Sequence, residues 1–448
     1  MCGIAGVLSH TPIVEIGALG TALGRALAHR GPDDQDTHES SDGRALLVHQ
    51  RLSIIDCSPA ARQPMRTADG RHWIVYNGEV YNHRALRQSL ETDGVPFLTG
   101  SDTEVLLQLL VHRGPAALDT VRGMFALAWW DEARGALLLA RDRFGIKPLY
   151  VAARAGTIAY ASEIRPLLDA GLVPKNVDAA GIAAYLRWGS IPGPLTWIAG
   201  VESLTPGTWR QWTSDGATRC GQFADVRDLW TGAPSGDRPE EFRACVTAAL
   251  DDSVKAHLVA DVPVGVFLSS GVDSALLAAI ASRHAPAIRT YTVSVADSQL
   301  DEAADARAVA AALGTTHETL RIDAPDVGRD WPHLFAHLDQ PTGDGVNTYY
   351  VARAVRQSGV KAVLSGIGGD EMFGGYPSFR RLPRLLRLGP HARSLAPLAA
   401  AAATFAMGEA LGPRLGHLRD HLGSSGEMYR ALRGVVMPAE FSGIAGAR

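Results

Sequence analysis

Only four cysteines occur in the sequence, Cys2, Cys57, Cys220 and Cys245, and no two of them form a CxxC pair. A zinc ribbon or a disulfide framework needs such clustering, so neither is expected. A reducing, cytoplasmic setting fits this usage best. Excess positive charge is missing as well. The formal net charge is −4, with no basic stripe of the kind that neutralises phosphate backbones, which argues against a nucleic-acid partner. Long apolar runs are scarce too. The opening MCGIAGVLSHTP has no positively charged leader before its short apolar stretch, unlike a secretory signal. The stretch 395–407 contains Pro397 and falls short of the roughly 18 to 20 residues that cross a membrane. It reads as a buried or surface helix, and no membrane partner is expected. Internal repeats are absent.

What is present is an ordinary globular balance, with 46% hydrophobic and 20% charged residues in a chain of 448, enough for two or more cores. Up to about residue 205 the apolar segments are short and bounded by turn residues: 45–55, 73–77, 124–131, 136–142 and 157–162. Their length and spacing predict an antiparallel β-rich layer, with helices between them over 83–94 and 103–114. This half reads as α+β. Residues 212–241 are rich in Gly, Ser, Asp and Pro and lack either periodicity, so a linker is expected over 214–240, between units at 2–213 and 241–448. Beyond it, Phe242, Val246, Leu250, Val254 and Leu258 recur every fourth residue, as on one helix face. Apolar runs at 264–269, 288–295, 317–322 and 361–365 then alternate with helical patterns at 275–283, 301–314 and 348–357. Strand and helix in alternation predict βαβ units and a parallel sheet covered on both faces.

Two loops of that second half carry chemistry. Leu268-Ser269-Ser270-Gly271-Val272-Asp273-Ser274 follows a buried strand and opens a helix, the place where an open α/β sheet puts its ligand. Small residues there let backbone N–H groups approach a phosphate, the helix N-terminus favours the anion, and Asp273 can hold a Mg²⁺ on the phosphate oxygens. The loop is not a Walker A motif. Ser365-Gly366-Ile367-Gly368-Gly369-Asp370-Glu371 again follows an apolar strand and again joins glycines to acids. Two such loops facing each other over the strand ends suit a pyrophosphate with Mg²⁺.

The first half offers a different chemistry. Cys2 follows Met1 directly, so loss of Met1 would leave a thiol nucleophile with its own α-amine as base. Arg51 offers a planar fork for a substrate α-carboxylate. Asn77 and Gly78 offer a side-chain amide and a backbone N–H for a tetrahedral oxyanion, and Asp102 can share a substrate α-ammonium with Glu79. Taken singly, Arg51 reads as a surface ion-pair residue, Asn77-Gly78 as a hairpin turn and Asp102 as a helix cap.

Together, the motifs MCGIAG, RGPD (30–33), QRLSIID (50–56), QPM (63–65), YNGEVYN (76–82), SDTE (101–104), RDRFGIKPLY (141–150) and ASEI (161–164) resemble, in order, the class II N-terminal-nucleophile glutaminase of asparagine synthetases. The loop at 269–274 resembles the SGGxDS loop of N-type ATP pyrophosphatases, and the paired loops with Gly374-Gly375-Tyr376 resemble the asparagine synthetase family. This resemblance implies an N-terminal-nucleophile α+β domain followed by an α/β domain of the adenine nucleotide α-hydrolase type. It implies Cys2 as nucleophile, Asn77 and Gly78 as the oxyanion hole, and Arg51, Leu52, Ser53, Ile54, Ile55, Asn77, Gly78, Glu79 and Asp102 around glutamine. Leu268, Ser269, Ser270, Gly271, Asp273, Ser274, Val293, Ser365 and Gly366 are implied for ATP, and Asp273 and Asp370 for Mg²⁺. In the family's reaction a carboxylate, from aspartate, attacks the α-phosphorus of ATP, and ammonia delivered through an internal channel displaces AMP. A homodimer is expected from the family alone.

Three departures bear on these expectations. Ser270 replaces a usual glycine, a small change. Ile367 stands where family members carry an acid, so Glu371, Asp344 or a different acceptor carboxylate must account for proton transfer. The chain also ends at Arg448, short of typical members, which leaves acceptor binding least defined and keeps open a glutaminase-only or regulatory chain.

Overall fold

The computed structural model describes residues 1–229, 238–295, 302–322, 324–343, 345–392, 414, 417, 421, 424–437 and 440. In the first half the strands are β1 (Gly3–Ser9), β2 (Asp34–Glu39), β3 (Ala45–Arg51), β4 (Met65–Arg66), β5 (His72–Val80), β6 (Gly123–Asp131), β7 (Ala136–Arg141), β8 (Tyr150–Arg154), β9 (Thr157–Ala161), β10 (Glu202–Ser203), β11 (Thr208–Thr213) and β12 (Thr218–Gln222). They form two antiparallel six-stranded sheets, ordered β10-β8-β9-β1-β3-β2 and β12-β11-β7-β6-β5-β4.

The pleat explains the layering. Ile4, Leu8, Ala45 and Leu47 of one sheet meet Val75, Ala126, Trp130 and Leu139 of the other in a shared core. Their neighbours Ala5, Val7, Leu46 and Val48 point the opposite way, onto Leu23, Leu27, Ile164 and Leu167 of the helices Ile16–Leu27 and Ile164–Asp169. The helices His83–Thr92 and Asp102–Arg113 cover the far face of the second sheet through Leu86, Leu90, Val105 and Leu109. With both faces of this sheet covered, β1 and β3 are buried along their whole length, and strands so placed read as largely apolar runs rather than alternating ones.

Three differences from the sequence expectations have plain causes. The run 45–55 ends as strand at Arg51, and residues 52–55 leave the sheet to line a pocket. Asn77-Gly78 is no hairpin turn, since it lies inside β5 opposite Ala126 and Phe125 of β6. Within the segment expected as linker, Thr218–Gln222 is the edge strand β12, paired with β11, and its mostly exposed polar sequence carries no hydrophobic signal. Residues 230–237 of that segment lie outside the described residues, as do Asp344 and the Ala-rich stretch 395–407.

The second half holds β13 (Val264–Phe267), β14 (Arg289–Val295), β15 (Thr316–Ile322) and β16 (Ala362–Leu364), all parallel, in the order β15-β14-β13-β16. Val266, Leu268, Ala278 and Ile280 pack with Ala306 and Ala310 of the helix Ala303–Leu313 in one cluster. Tyr291 packs with Val355 of the helix Gly345–Gln357 in another. The helix Pro239–His257 carries the expected stripe, with Val254 buried and Phe242 exposed. Among the described residues, no helix is long and apolar enough to cross a membrane.

The halves touch. Asp339 accepts the N–H groups of Ile164 at 2.8 Å and Arg165 at 2.9 Å, capping that helix from across the boundary, and burial raises its carboxyl to about 6. Lys361 pairs with Asp33 at 2.8 Å.

Candidate active sites

The first site sits where β1 begins and where β3 and β5 end. Cys2 immediately precedes β1, and its carbonyl accepts the Arg30 Nε–H at 3.0 Å, while Arg30 also pairs with Glu163 at 2.6 Å. The Leu52 N–H donates to Cys2 Sγ at 3.4 Å. Burial pushes the thiol pKa up, against the Leu52 N–H, the terminal amine, Lys147 and Arg51. Burial lowers the terminal amine of Met1 to about 6, so that amine is largely neutral at pH 7.

Cys2, Arg51, Leu52, Ser53, Ile54, Ile55, Asn77, Gly78, Glu79 and Asp102 all line one pocket. Asn77 is 1% exposed, and its side-chain Nδ2 has no hydrogen-bond partner among the described residues, an orphaned donor of the kind that buried amides rarely leave. At Gly78 a Cβ would stand 2.1 Å from the Met124 carbonyl oxygen, so the close approach of β5 to β6 demands glycine there. Arg51 spends two donors on its own loop, on the carbonyls of Asp56 at 2.5 Å and Ser58 at 3.1 Å. Asp102 is the first helical residue rather than the cap; Ser101 is the N-cap and accepts from the Thr103 N–H.

Lys147, Gln63, Tyr76 and Thr103, given no role by the sequence, also line the pocket. In RDRFGIKPLY the Asp142 carboxylate accepts N–H bonds from Phe144, Ile146 and Lys147 at 3.0 Å each, folding a turn that delivers Lys147. Gln63 accepts the Tyr76 N–H at 2.7 Å and donates to Thr103 at 3.1 Å, tying strand to helix. Only knowledge of these turns and side-chain bridges singles such residues out.

The charges of this pocket are poised. Burial raises Glu79 to about 7, with Lys147 pulling it back and Asp102 adding to the rise. Burial likewise raises Asp102, opposed by the Val80 N–H, and lowers Lys147, opposed by Glu79. All three shifts run toward the neutral forms, so desolvation outweighs mutual attraction.

The second site lies at the C-terminal ends of β13 and β16, adjacent strands of the parallel sheet. Ser274 accepts the Ser269 N–H at 3.1 Å, and Ser269 Oγ accepts the Gly271 N–H at 3.1 Å, so the loop is bound to the first turn of the helix Val272–His284. The Ser365–Gly368 loop packs against it. A Cβ at Gly369 would stand 2.3 Å from Asp273 Oδ2, and one at Gly366 3.4 Å from the Asp273 Cβ. Asp273 therefore sits between the two loops, and Asp370 is the residue next to Gly369. Leu268 packs with Val266 and Ala278, whereas the Val293 side chain packs with Ile322, Leu334 and Tyr350 in a separate cluster. Ile367 is 83% exposed, and the Glu371 carboxylate accepts the Tyr376 hydroxyl at 2.7 Å. The Glu302 carboxylate, unremarked in the sequence, accepts the Ser270 N–H at 3.0 Å.

Among the described residues no three His, Cys, Asp or Glu side chains gather as a metal cluster. Magnesium characteristically takes one or two carboxylates and completes its shell with phosphate oxygens and water. A pair such as Asp273 and Asp370 fits that demand.

The glutamine amidotransferase domain family matches residues 1–224, and the asparagine synthase family matches residues 246–439. The fold is accordingly that of an N-terminal-nucleophile amidotransferase domain followed by a parallel α/β synthase domain. Asparagine synthetase (glutamine-hydrolysing) 1 of Bacillus subtilis is 34% identical over 391 residues, covering 85% of this chain and 60% of the relative. Asparagine synthetase B of Escherichia coli is 34% identical over 408 residues, covering 87% of this chain and 67% of the relative. The amidase chry2 of Gibberella zeae is 31% identical over 408 residues, covering 85% and 60%. The chain thus spans about three fifths of the Bacillus and Gibberella proteins. It belongs to the glutamine-hydrolysing asparagine synthetase family.

Proposed function

We propose that the first pocket hydrolyses glutamine and that the paired loops use ATP to activate a carboxylate, aspartate being the leading acceptor, which the released ammonia then amidates. The observation that carries this reading is the convergence of Cys2, Arg51–Ile55, Asn77–Glu79 and Asp102, from four separate segments, on one pocket with an Asn77 amide unpartnered among the described residues. In this reading the Cys2 thiolate attacks the glutamine amide carbon after losing its proton to an α-amine, freed on Cys2 by removal of Met1. The Asn77 Nδ2–H and the Gly78 N–H hold the oxyanion, Arg51 takes the α-carboxylate, and Glu79 with Asp102 takes the α-ammonium. Collapse of the tetrahedral species releases ammonia and leaves a thioester for water to cleave.

At the second site, Ser269 to Gly271 and the helix N-terminus would face the phosphates, with Ser365 and Gly366 opposite. Asp273 and Asp370 would hold a Mg²⁺ that offsets charge on the departing pyrophosphate. A second reading, amidation of a different carboxylate, draws support from Ile367, which offers no proton acceptor where the loop faces solvent. The purified chain given glutamine alone should release glutamate and ammonia, and Cys2→Ala should abolish this. Adding ATP, Mg²⁺ and aspartate should release pyrophosphate and yield asparagine. Pyrophosphate released only with another acid would transfer the assignment to the second reading, and glutaminase surviving in Cys2→Ala would remove the nucleophile.

A further inference from the structure

Four of the residues around the glutamine pocket, Leu52 to Ile55, sit on an irregular loop between Arg51 and Ser58, and Leu52 is also the hydrogen-bond partner of the nucleophile. Loops of this kind lack ladder hydrogen bonds and hold a shape only through what grips them. This one includes Asp56 at φ 49°, in the left-handed region that few residues other than glycine adopt, so its conformation needs outside support.

Part of the grip is local. The Asp56 carboxylate accepts the Ser58 hydroxyl at 2.6 Å and the Gly100 N–H at 2.8 Å. The rest comes from the other half of the chain. Asp261 Oδ2 accepts the Asp56 N–H at 2.7 Å, and the Asp261 N–H donates to the Ile54 carbonyl at 2.9 Å. Asp33 accepts the Ser53 N–H at 2.8 Å and is itself held by Lys361 Nζ at 2.8 Å. Three successive stretches of loop backbone, at 53, 54 and 56, are thus fixed by residues of, or residues tied to, the second half.

The mounting on that side is stiff. Asp261 lies three residues before β13, and Lys361 immediately precedes β16. These strands are hydrogen-bonded neighbours, with Val264 opposite Ala362. Both anchors therefore stand side by side at the N-terminal edge of the parallel sheet.

We propose that Asp261 and Lys361 are positioning residues for glutamine, holding the Arg51–Ser58 loop from the synthase half in the shape that binds the substrate. The proposal rests on the reading of this pocket as the glutamine site. Neither residue lines the pocket, so their loss changes its fit rather than the chemistry at Cys2.

The test uses the full chain and four variants. Lys361→Met and Asp261→Ala remove the anchors, while Lys361→Arg and Asp261→Asn restore a donor and an acceptor. The KM for glutamine should rise roughly fivefold or more in the first pair, with kcat within about twofold of the parent, as for typical coupling between sites. The second pair should return KM toward the parent. A readout independent of turnover is the alkylation of Cys2 by a glutamine-shaped diazoketone. Its half-saturation concentration should rise by the same factor, while alkylation by iodoacetamide keeps its rate. Unchanged KM and half-saturation in both anchor-removing variants would overturn the proposal. So would a fall in kcat alone, or a failure of the conservative variants to rescue. A parent chain that neither hydrolyses glutamine nor labels saturably would instead overturn the glutaminase reading beneath it. Both sites are solvent-accessible, and matching thermal midpoints across the five proteins would separate a positioning effect from a folding defect.

Discussion

Asp102 Oδ2 accepts the Val80 N–H at 3.0 Å and so binds the start of the helix Asp102–Arg113 to the end of β5, the strand that carries Asn77, Gly78 and Glu79. The same oxygen accepts the Tyr76 hydroxyl at 3.1 Å. One carboxylate thereby registers strand and helix while lining the pocket that they form. Its geometry belongs to the fold as much as to the proposed chemistry, and the two contributions can be separated residue by residue.

Asn77→Ala tests the oxyanion donor. Because Nδ2 makes no hydrogen bond among the described residues, its removal breaks no internal bond there, and the thermal midpoint should stay close to that of the parent. The kcat for glutamine hydrolysis should drop by about 10² to 10³, with KM little changed, as when a single oxyanion donor is lost. Steady-state kinetics alongside calorimetry decides it; a variant with full kcat removes Asn77 from the mechanism.

The pH profile of kcat/KM for glutamine follows from Glu79. Burial holds its carboxyl near 7, so below that pH it is protonated and neutral, and the substrate ammonium loses a partner. Activity should therefore fall as pH drops through about 7. Glu79→Gln should flatten that limb at a lower plateau, and Lys147→Met should move it to higher pH by removing the nearby positive charge that favours ionisation. A parent profile flat across neutrality would exclude Glu79 as the charge that receives the substrate.

Gly78→Ala is a packing test. The new methyl would lie 2.1 Å from the Met124 carbonyl oxygen and 2.8 Å from the Tyr76 ring, so β5 and β6 must move apart. Overpacking of this kind costs typically about 1–3 kcal/mol. Chemical denaturation should report that loss together with reduced glutaminase activity.

At the other site, Asp273→Asn should abolish ATP-dependent pyrophosphate release and leave glutamine hydrolysis intact. Chelation of Mg²⁺ should do the same. Gly369→Ala, whose methyl would displace the Asp273 carboxylate, should lower pyrophosphate release by up to about 10²-fold, the scale of a reacting group misplaced by about 1 Å. If Asp273→Asn silenced both activities, the two sites would not be independent.

Much of the architecture was legible because doubly buried strands announce themselves. The runs 45–48 and 124–130 are apolar without a break, and the alternation beyond residue 260 marks the parallel sheet. The polar edge strands Asp34–Glu39 and Thr218–Gln222 left no such mark, because their pairing comes from the backbone and their side chains face solvent. At the first site, Arg51, Asn77, Glu79 and Asp102 carry little signal singly and are picked out by the ordered series of motifs that holds them. Lys147 gains no role from that series, since the turn built on Asp142 alone delivers it. The Asp33–Lys361 pair spans 328 residues and has no periodic or local signature at all. Val293, named for the adenylate site by resemblance, carries a side chain whose packing becomes clear only once the sheet has assembled.

Glu302 gives the second site a character of its own. Its carboxylate occupies the Ser270 N–H, so under the proposed function a phosphate group reaching this loop would meet a resident anion and would have to displace it. The affinity of the loop for any anion is then a difference between two occupants. A polyphosphate that also engages the opposite loop gains from several contacts what it loses in evicting one carboxylate, whereas a lone sulfate or monophosphate does not. Under that reading the loop would discriminate among anions by the number of contacts each can make, not by charge alone.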